Sequence, residues 1–238
     1  MGRFRLELSV DTVDDAVAAD SVGADRIELC SAGALGGLTP SPGALAETLA
    51  RVRAAEVHVL VRPRDGGFRY TPAEVATMVG DVTHAVGAGA TGVVVGALTP
   101  ENDPDVPVLT ELIAAAQGRP VTLHRAVDVC RAPAAAVRTA AGLGIARVLS
   151  SGQAVRAEDG AALLAELVRV AAAGRLDVMA CGGVRPHNAL AVLAATGVSD
   201  LHAAPRTVVA GPSSAVDYGG HATLDAAAAR ALADLRTG

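Results

Sequence analysis

Carboxylates, arginines, imidazoles and thiols stand in this chain at spacings that would let them share one site. The stretch Gly23-Ala-Asp-Arg-Ile-Glu-Leu-Cys30 runs straight on into Ser31-Ala-Gly-Ala-Leu-Gly-Gly-Leu-Thr-Pro-Ser41. Alternate residues of a strand share a face, so Ile27 and Leu29 point one way while Arg26, Glu28 and Cys30 point the other. A strand that turns a carboxylate and a thiol inward and then opens into a glycine-rich loop reads as one wall of a site. Glu7, two residues before Ser9 in the first apolar run, offers a second inward carboxylate. Two buried carboxylates need cations or raised pKa values. They form either ion pairs, with Arg5 and Arg62 as partners, or a general acid/base pair or divalent-cation seat.

His124 in His-Arg-Ala-Val-Asp128 has an acid four residues on, and His202 sits in Leu-His-Ala-Ala-Pro-Arg206. Both suit proton transfer. Arg62, Arg64 and Arg206, the Ser151-Gly152 turn and the Gly182-Gly183 pair offer cations, hydroxyls and free amides to an anion. Cys30 and Cys181 invite a soft-metal reading, since Cu(I) takes thiolate, thioether and imidazole. No C-x-x-C is present, and the simplest reading of the thiols is buried and inert.

These residues need a scaffold that brings them to one rim. Short β-branched runs alternate with alanine-rich amphipathic segments from end to end. The strands are expected at Phe4–Val10, Arg26–Cys30, Val57–Arg62, Gly92–Leu98, Val121–Ala126, Arg147–Ser150, Leu176–Cys181 and Asp200–Ala203. Thr71-Pro72-Ala73-Glu74 has the chemistry of a helix start, and Gly89, Gly144 and Gly197 stand where helices end. Eight strands alternating with helices in 238 residues predict an α/β fold, a slightly compact (β/α)8 TIM barrel forming a single domain. The rival, an open doubly wound sheet, would carry a G-x-G-x-x-G loop after its first strand, and Ser9-Val-Asp-Thr12 has none. Residues 206–238 read as a long loop over Arg206–Tyr218, then a helix from about Leu224 to Leu235 capping one end of the barrel. In such a barrel the C-terminal strand ends gather the function. That places Glu7, Glu28, Arg62, Arg64, His124, Asp128, Cys181 and His202 around one mouth.

Composition narrows the chemistry. Every one of the 20 basic residues is arginine; lysine is absent, so no lysine Schiff base can form. A net charge of -5 gives no basic field for nucleic acid or a membrane surface. The N-terminal residues lack the apolar core of a signal peptide, and three well-separated cysteines suit reduced thiols in the cytoplasm. No nucleotide cofactor is expected.

Several motifs together resemble the CutC family, named for copper homeostasis. They are Val10-Asp11-Thr12 after a Glu-bearing strand, Gly23–Cys30, Gly36-Gly-Leu-Thr-Pro-Ser41, Arg62-Pro-Arg64 with Gly67-Phe68 and Tyr70, His124–Asp128, and Val148-Leu-Ser-Ser-Gly152. The resemblance implies a TIM barrel, a cytoplasmic location, a homo-oligomer such as a dimer, and copper(I) binding at Cys30; from the residues themselves, Cys181 or His124 is the candidate second ligand. The family's first-strand cysteine is Ser9 here, and its eighth-strand serine is Ala204. Beside copper handling stands a second reading: an enzyme moving a proton next to a carbonyl, as an isomerase or epimerase does, on a small anionic and possibly phosphorylated substrate. Its acids and bases would be Glu7, Glu28, His124, Asp128 and His202.

Overall fold

The computed structural model describes residues 4–211 and 219–236. Eight parallel strands close into a barrel: β1 Arg5–Val10, β2 Arg26–Leu29, β3 Glu56–Leu60, β4 Gly92–Val95, β5 Val121–Leu123, β6 Arg147–Ser150, β7 Asp177–Ala180 and β8 Asp200–Ala203. The helices between them are α1 Val13–Ser21, α2 Pro42–Arg51, α3 Pro72–Ala88, α4 Val106–Ala115, α5 Pro133–Gly142, α6 Ala161–Ala172 and α7 Ala189–Thr196. The barrel is therefore the fold the alternating pattern predicts. No helix among the described residues is long and apolar enough to cross a membrane.

Strand parity divides the core in two. Leu6, Leu8, Ile27, Leu29, Val93 and Val95 face the helices and are fully buried. The chain has only 2% aromatic residues, so the alanines of the helices let them approach closely enough to seal that layer. The opposite parity fills the barrel's interior with charge. Arg26, Glu7, His58, Arg147 and Asp200 are all buried there. Arg26 Nη2 donates to Asp200 Oδ1 at 3.0 Å and Arg147 Nη1 to Thr122 Oγ1 at 3.2 Å.

The helix starts follow the local chemistry. Thr71 and Glu74 form a reciprocal capping box with Pro72 in the first turn of α3. Asp105 and Ser41 cap α4 and α2.

The C-terminal part departs from the expectation. Arg206–Val209 is a strand, β9, paired antiparallel with β10, His221–Leu224. The expected loop thus begins as a ribbon, and its residues 212–218 lie outside the described part. The ribbon is fixed to α1, whose Asp15 accepts from Leu224 N at 3.0 Å and Thr223 Oγ1 at 2.5 Å. The last helix, α8 Ala226–Asp234, does not cap an end of the barrel. Its Arg230 donates to Ser21 O at 3.1 Å, so it lies on the barrel's flank as the eighth outer helix.

Candidate functional site

The barrel's hydrogen-bond register explains how the acids and bases meet. Glu7 on β1 is level with Arg26 on β2 and with His202 on β8, and Ser9 is level with Glu28. Glu7 therefore sits between a cation and an imidazole. Its carboxylate pairs with Arg26 Nε, and its Oε1 lies 2.6 Å from His202 Nδ1. Burial opposes ionisation of Glu7, but the His202 contact and Arg26 outweigh it and hold the carboxyl far below its ordinary range. The other imidazole nitrogen, His202 Nε2, stands 3.9 Å from Glu28 Oε2.

Burial and the nearby Glu7 charge raise the pKa of Glu28. Burial disfavours charge on His202 too, but Glu28 and Glu7 together raise its pKa. Glu28 and His202 thus both hold protons more tightly than in water. They form a two-site proton store against a permanently ionised Glu7. This chain of groups runs Arg26, Glu7, His202, Glu28, and only its last two members face the cavity.

The cavity opens at the C-terminal strand ends and encloses about 470 Å³, within the range of small-molecule sites. Glu28, Cys30, Arg62, His124, Cys181, Gly182, Gly183, His202 and Arg206 line it, as the sequence leads one to expect, and so does Asp128. Leu35, Leu60, Phe68, Leu149 and Val184 give the wall its apolar parts, and Ser9, Arg125 and Arg185 add polar groups.

The contacts change several of the expected roles. Arg64 turns away to Glu74, with Nε 2.5 Å from Oε1, and stacks on Tyr70; it does not line the cavity. The capping carboxylate of α3 captures it. Arg62 reaches the cavity but is spent on backbone: it donates to Leu35 O, Gly37 O and Gly66 O at 2.7–3.0 Å and ties the glycine-rich loop to the β3–α3 loop. Asp128 accepts from Ser150 Oγ, the Ser151 and Gln153 amides and Arg125 Nε, so it shapes the β6 loop and has no lone pair left over for proton transfer. Ser151 donates to Asp128 or Ala154 O, and Gly152 N donates to Ser150 Oγ; neither residue reaches the cavity wall. Arg206 bonds Asp11 at 2.7 Å, and Asp11 also accepts from Gly33 N, closing that side of the mouth. Arg5 pairs with Glu56 outside the interior at 2.9 Å, so neither Arg5 nor Arg62 neutralises the inner carboxylates. Arg26 does.

His124 is held by two neighbours. Its Nδ1 accepts from Ala126 N at 3.1 Å, and its ring leans on Phe68 with centroids 4.7 Å apart. Burial, helped by the Arg62 charge, pushes its pKa down to about 3. It is neutral at physiological pH and cannot serve as the proton shuttle.

The strand sequence supplied further signals that motif reading passes over. On β4 the inward parity is Gly92, Val94 and, just past the strand, Gly96. A Cβ on Gly92 would lie 2.5 Å from His58 Cε1, and one on Gly96 would lie 2.3 Å from His124 Cε1. These glycines make room for the two imidazoles. Arg185 also faces the cavity; it donates to Val184 O at 2.7 Å and has no carboxylate partner among the described residues. Nearby, Gly182 and Gly183 hold φ of +93° and +70°, and no protein acceptor takes their amides among the described residues.

The residues do not fit a copper(I) centre. Cys30 Sγ lies 3.2 Å from Asp11 Oδ1, 3.4 Å from Val10 O and 3.7 Å from Ser9 Oγ, an arrangement that keeps the proton on sulfur. Burial and the Glu28 and Asp11 charges raise its pKa far above the usual thiol value, and burial does the same to Cys181. Cu(I) needs the thiolate. Among the described residues, the group of three with ligand atoms within 4.8 Å of one another is Glu7, Glu28 and His202, which contains no sulfur. Within it Glu7 is already committed to Arg26.

The CutC family model matches residues 4–207. A family protein CutC from Xanthomonas campestris pv. campestris is 41% identical over 236 residues, covering 97% of this chain and 98% of that protein. A family protein CutC from Bacteroides thetaiotaomicron is 40% identical over 206 residues, covering 87% of this chain and 82% of that protein. Among solved structures, the putative copper homeostasis protein CutC from Streptococcus agalactiae superposes with a TM-score of 0.78 at 29% identity, covering 84% of this chain and 97% of that one. On the extent of the family match and the closeness of these relatives, this chain belongs to the CutC family.

Proposed function

We propose that the barrel is an enzyme that moves a proton on a small anionic substrate, with Glu28 and His202 as the acid/base pair. The observation that carries this reading is the proton store itself. Two titratable groups with raised pKa values face a cavity, backed by a carboxylate that Arg26 keeps ionised. Perturbed groups gathered in a cleft are a mark of catalytic sites. The Gly182 and Gly183 amides with Arg185 offer the anion a seat across the cavity. The absence of lysine leaves proton transfer rather than Schiff-base chemistry.

The test is a thermal-shift screen of metabolites, weighted toward phosphorylated and carboxylated compounds, on wild type, Glu28→Gln and Arg185→Ala. A compound that stabilises wild type and loses that effect in Arg185→Ala supports the reading. No stabilising anion for wild type would defeat it.

The family's name keeps copper handling as a second reading, together with a cytoplasmic homo-oligomer. Its one structural support is that Cys30 borders the same cavity. Competition with a Cu(I) chelator decides it. Binding abolished by Cys30→Ala supports a copper role, whereas weak binding that survives the substitution removes it.

A further inference from the structure

His124 carries a polar atom that nothing in the protein satisfies. The residue is 5% exposed, and its Nε2 is buried without a hydrogen-bond partner among the described residues. Buried polar atoms are nearly always paired, and leaving one unpaired is costly, so an exception calls for a reason. Here the ring's orientation is over-determined. Ala126 N donates to Nδ1, which makes Nδ1 the acceptor and leaves the single ring proton of a neutral imidazole on Nε2. Gly96 leaves space for the Nδ1–Cε1 edge, where a Cβ would stand 2.5 Å from Nδ1, and Phe68 supports the face. A ring so held, in a residue that lines the cavity, keeps a fixed N–H donor just beneath the cavity wall.

We propose that His124 donates its Nε2–H to a carbonyl oxygen of the substrate, which makes the ligand class of this cavity small anionic carbonyl compounds. The proposal rests on the proton-transfer reading above. Glu28 and His124 stand on β2 and just past β5, on well-separated strands of the same barrel, so a bound molecule can meet both. Glu28 takes the proton from the carbon next to the carbonyl, and that C–H electron pair becomes the C=C bond of an enolate. The negative charge moves to the oxygen, where His124 holds it. Glu28 then returns the proton to the same carbon, or to the former carbonyl carbon once the hydroxyl proton of the deprotonated carbon has passed to the enolate oxygen, and the cycle closes with nothing oxidised or reduced overall. A neutral imidazole suits the task because it donates without surrendering its proton to the enolate. The Arg62 guanidinium, 5.4 Å from the Phe68 ring on which His124 leans, adds positive field and keeps the imidazole uncharged.

Two measurements test this. The first needs no ligand: the 15N spectrum of the histidine rings between pH 5.5 and 8.5. His124 is expected to stay neutral with its proton on Nε2; a proton on Nδ1, or titration within that range, overturns the proposal and leaves Glu28 and His202 untouched. The second compares matched probes that differ in one group, dihydroxyacetone phosphate with glycerol 3-phosphate and pyruvate with lactate. Wild type is expected to bind the carbonyl member of at least one pair about tenfold more tightly, the worth of one hydrogen bond. His124→Leu should equalise that pair, while His124→Gln, which keeps an N–H donor, should retain most of the preference and the wild-type melting temperature at neutral pH. A preference that survives His124→Leu overturns the proposal while a Glu28-dependent proton exchange into the same probe keeps the enzyme reading. Failure of wild type to bind any probe counts against both.

Discussion

Glu7 and Glu28 are chemically identical residues given opposite tasks by their neighbours. Glu7 neutralises Arg26 inside the barrel, whereas Glu28 meets His202 across 3.9 Å at the cavity floor. Removing charge from the two should therefore have opposite consequences. Glu7→Gln leaves Arg26 buried with Asp200 at 3.0 Å and the more distant Glu56 at 3.8 Å, and breaking a buried pair costs about 3–5 kcal/mol. Its urea midpoint is expected to fall accordingly. Glu28→Gln removes a carboxylate whose burial is already unfavourable, so it should unfold at or above the wild-type midpoint. Equal losses for the two variants would show that the carboxylates share one structural role. The same contrast explains why function is assigned to Glu28 and not to Glu7, though both point inward.

At the scale of elements, β4 is the strand that decides how much room the site has. Gly96→Ala places a methyl 2.3 Å from the His124 ring, so the ring or the strand must shift. Overpacking of this kind costs about 1–3 kcal/mol, and the 15N signature of His124 is expected to move with it. Gly80, exposed in the middle of α3 with nothing within 4 Å of an added Cβ, makes the opposite case. Gly80→Ala should stabilise the protein by about 0.5–1 kcal/mol in thermal or urea unfolding. The elements themselves were legible in the sequence, because period-2 runs and capping residues are local signals. All eight barrel strands overlap the expected runs, and strand parity placed Glu28, Cys30, His124 and His202 at the mouth. What was not legible depends on partners distant in sequence. Arg64 is captured by Glu74, Asp128 by the β6 loop, and Glu7 by Arg26 on the neighbouring strand. Choosing among several inward arginines requires the register, which no single segment contains. Residues 206–209 read as loop because their strand is exposed and pairs only with its own ribbon.

Across the whole molecule, the buried histidines set how stability responds to pH. His58 and His124 have pKa values pushed down to about 4 and about 3, first of all by burial. A depressed histidine contributes fully above its unfolded value of 6.5, and its contribution is lost as pH falls toward the folded value. Each should remove about 3 kcal/mol of stability by pH 4. His202 has a raised pKa, so its contribution is complete below 6.5 and is lost as pH rises through a higher folded value. Stability should therefore peak near neutrality, and His124→Gln should flatten the acid side; a melting temperature unchanged from pH 7 to pH 4.5 would contradict this arrangement. The same proton inventory leads to the central claim, that Glu28 and His202 exchange a proton with a bound substrate. Its most direct test is incubation in D2O of wild type and Glu28→Gln with each anion that stabilises the wild-type protein, followed by mass spectrometry of that compound. Deuterium is expected at a single carbon with wild type, and incorporation at least a hundredfold slower with Glu28→Gln, the usual scale of general-base catalysis. Incorporation at equal rates by both proteins, or by neither, would contradict it.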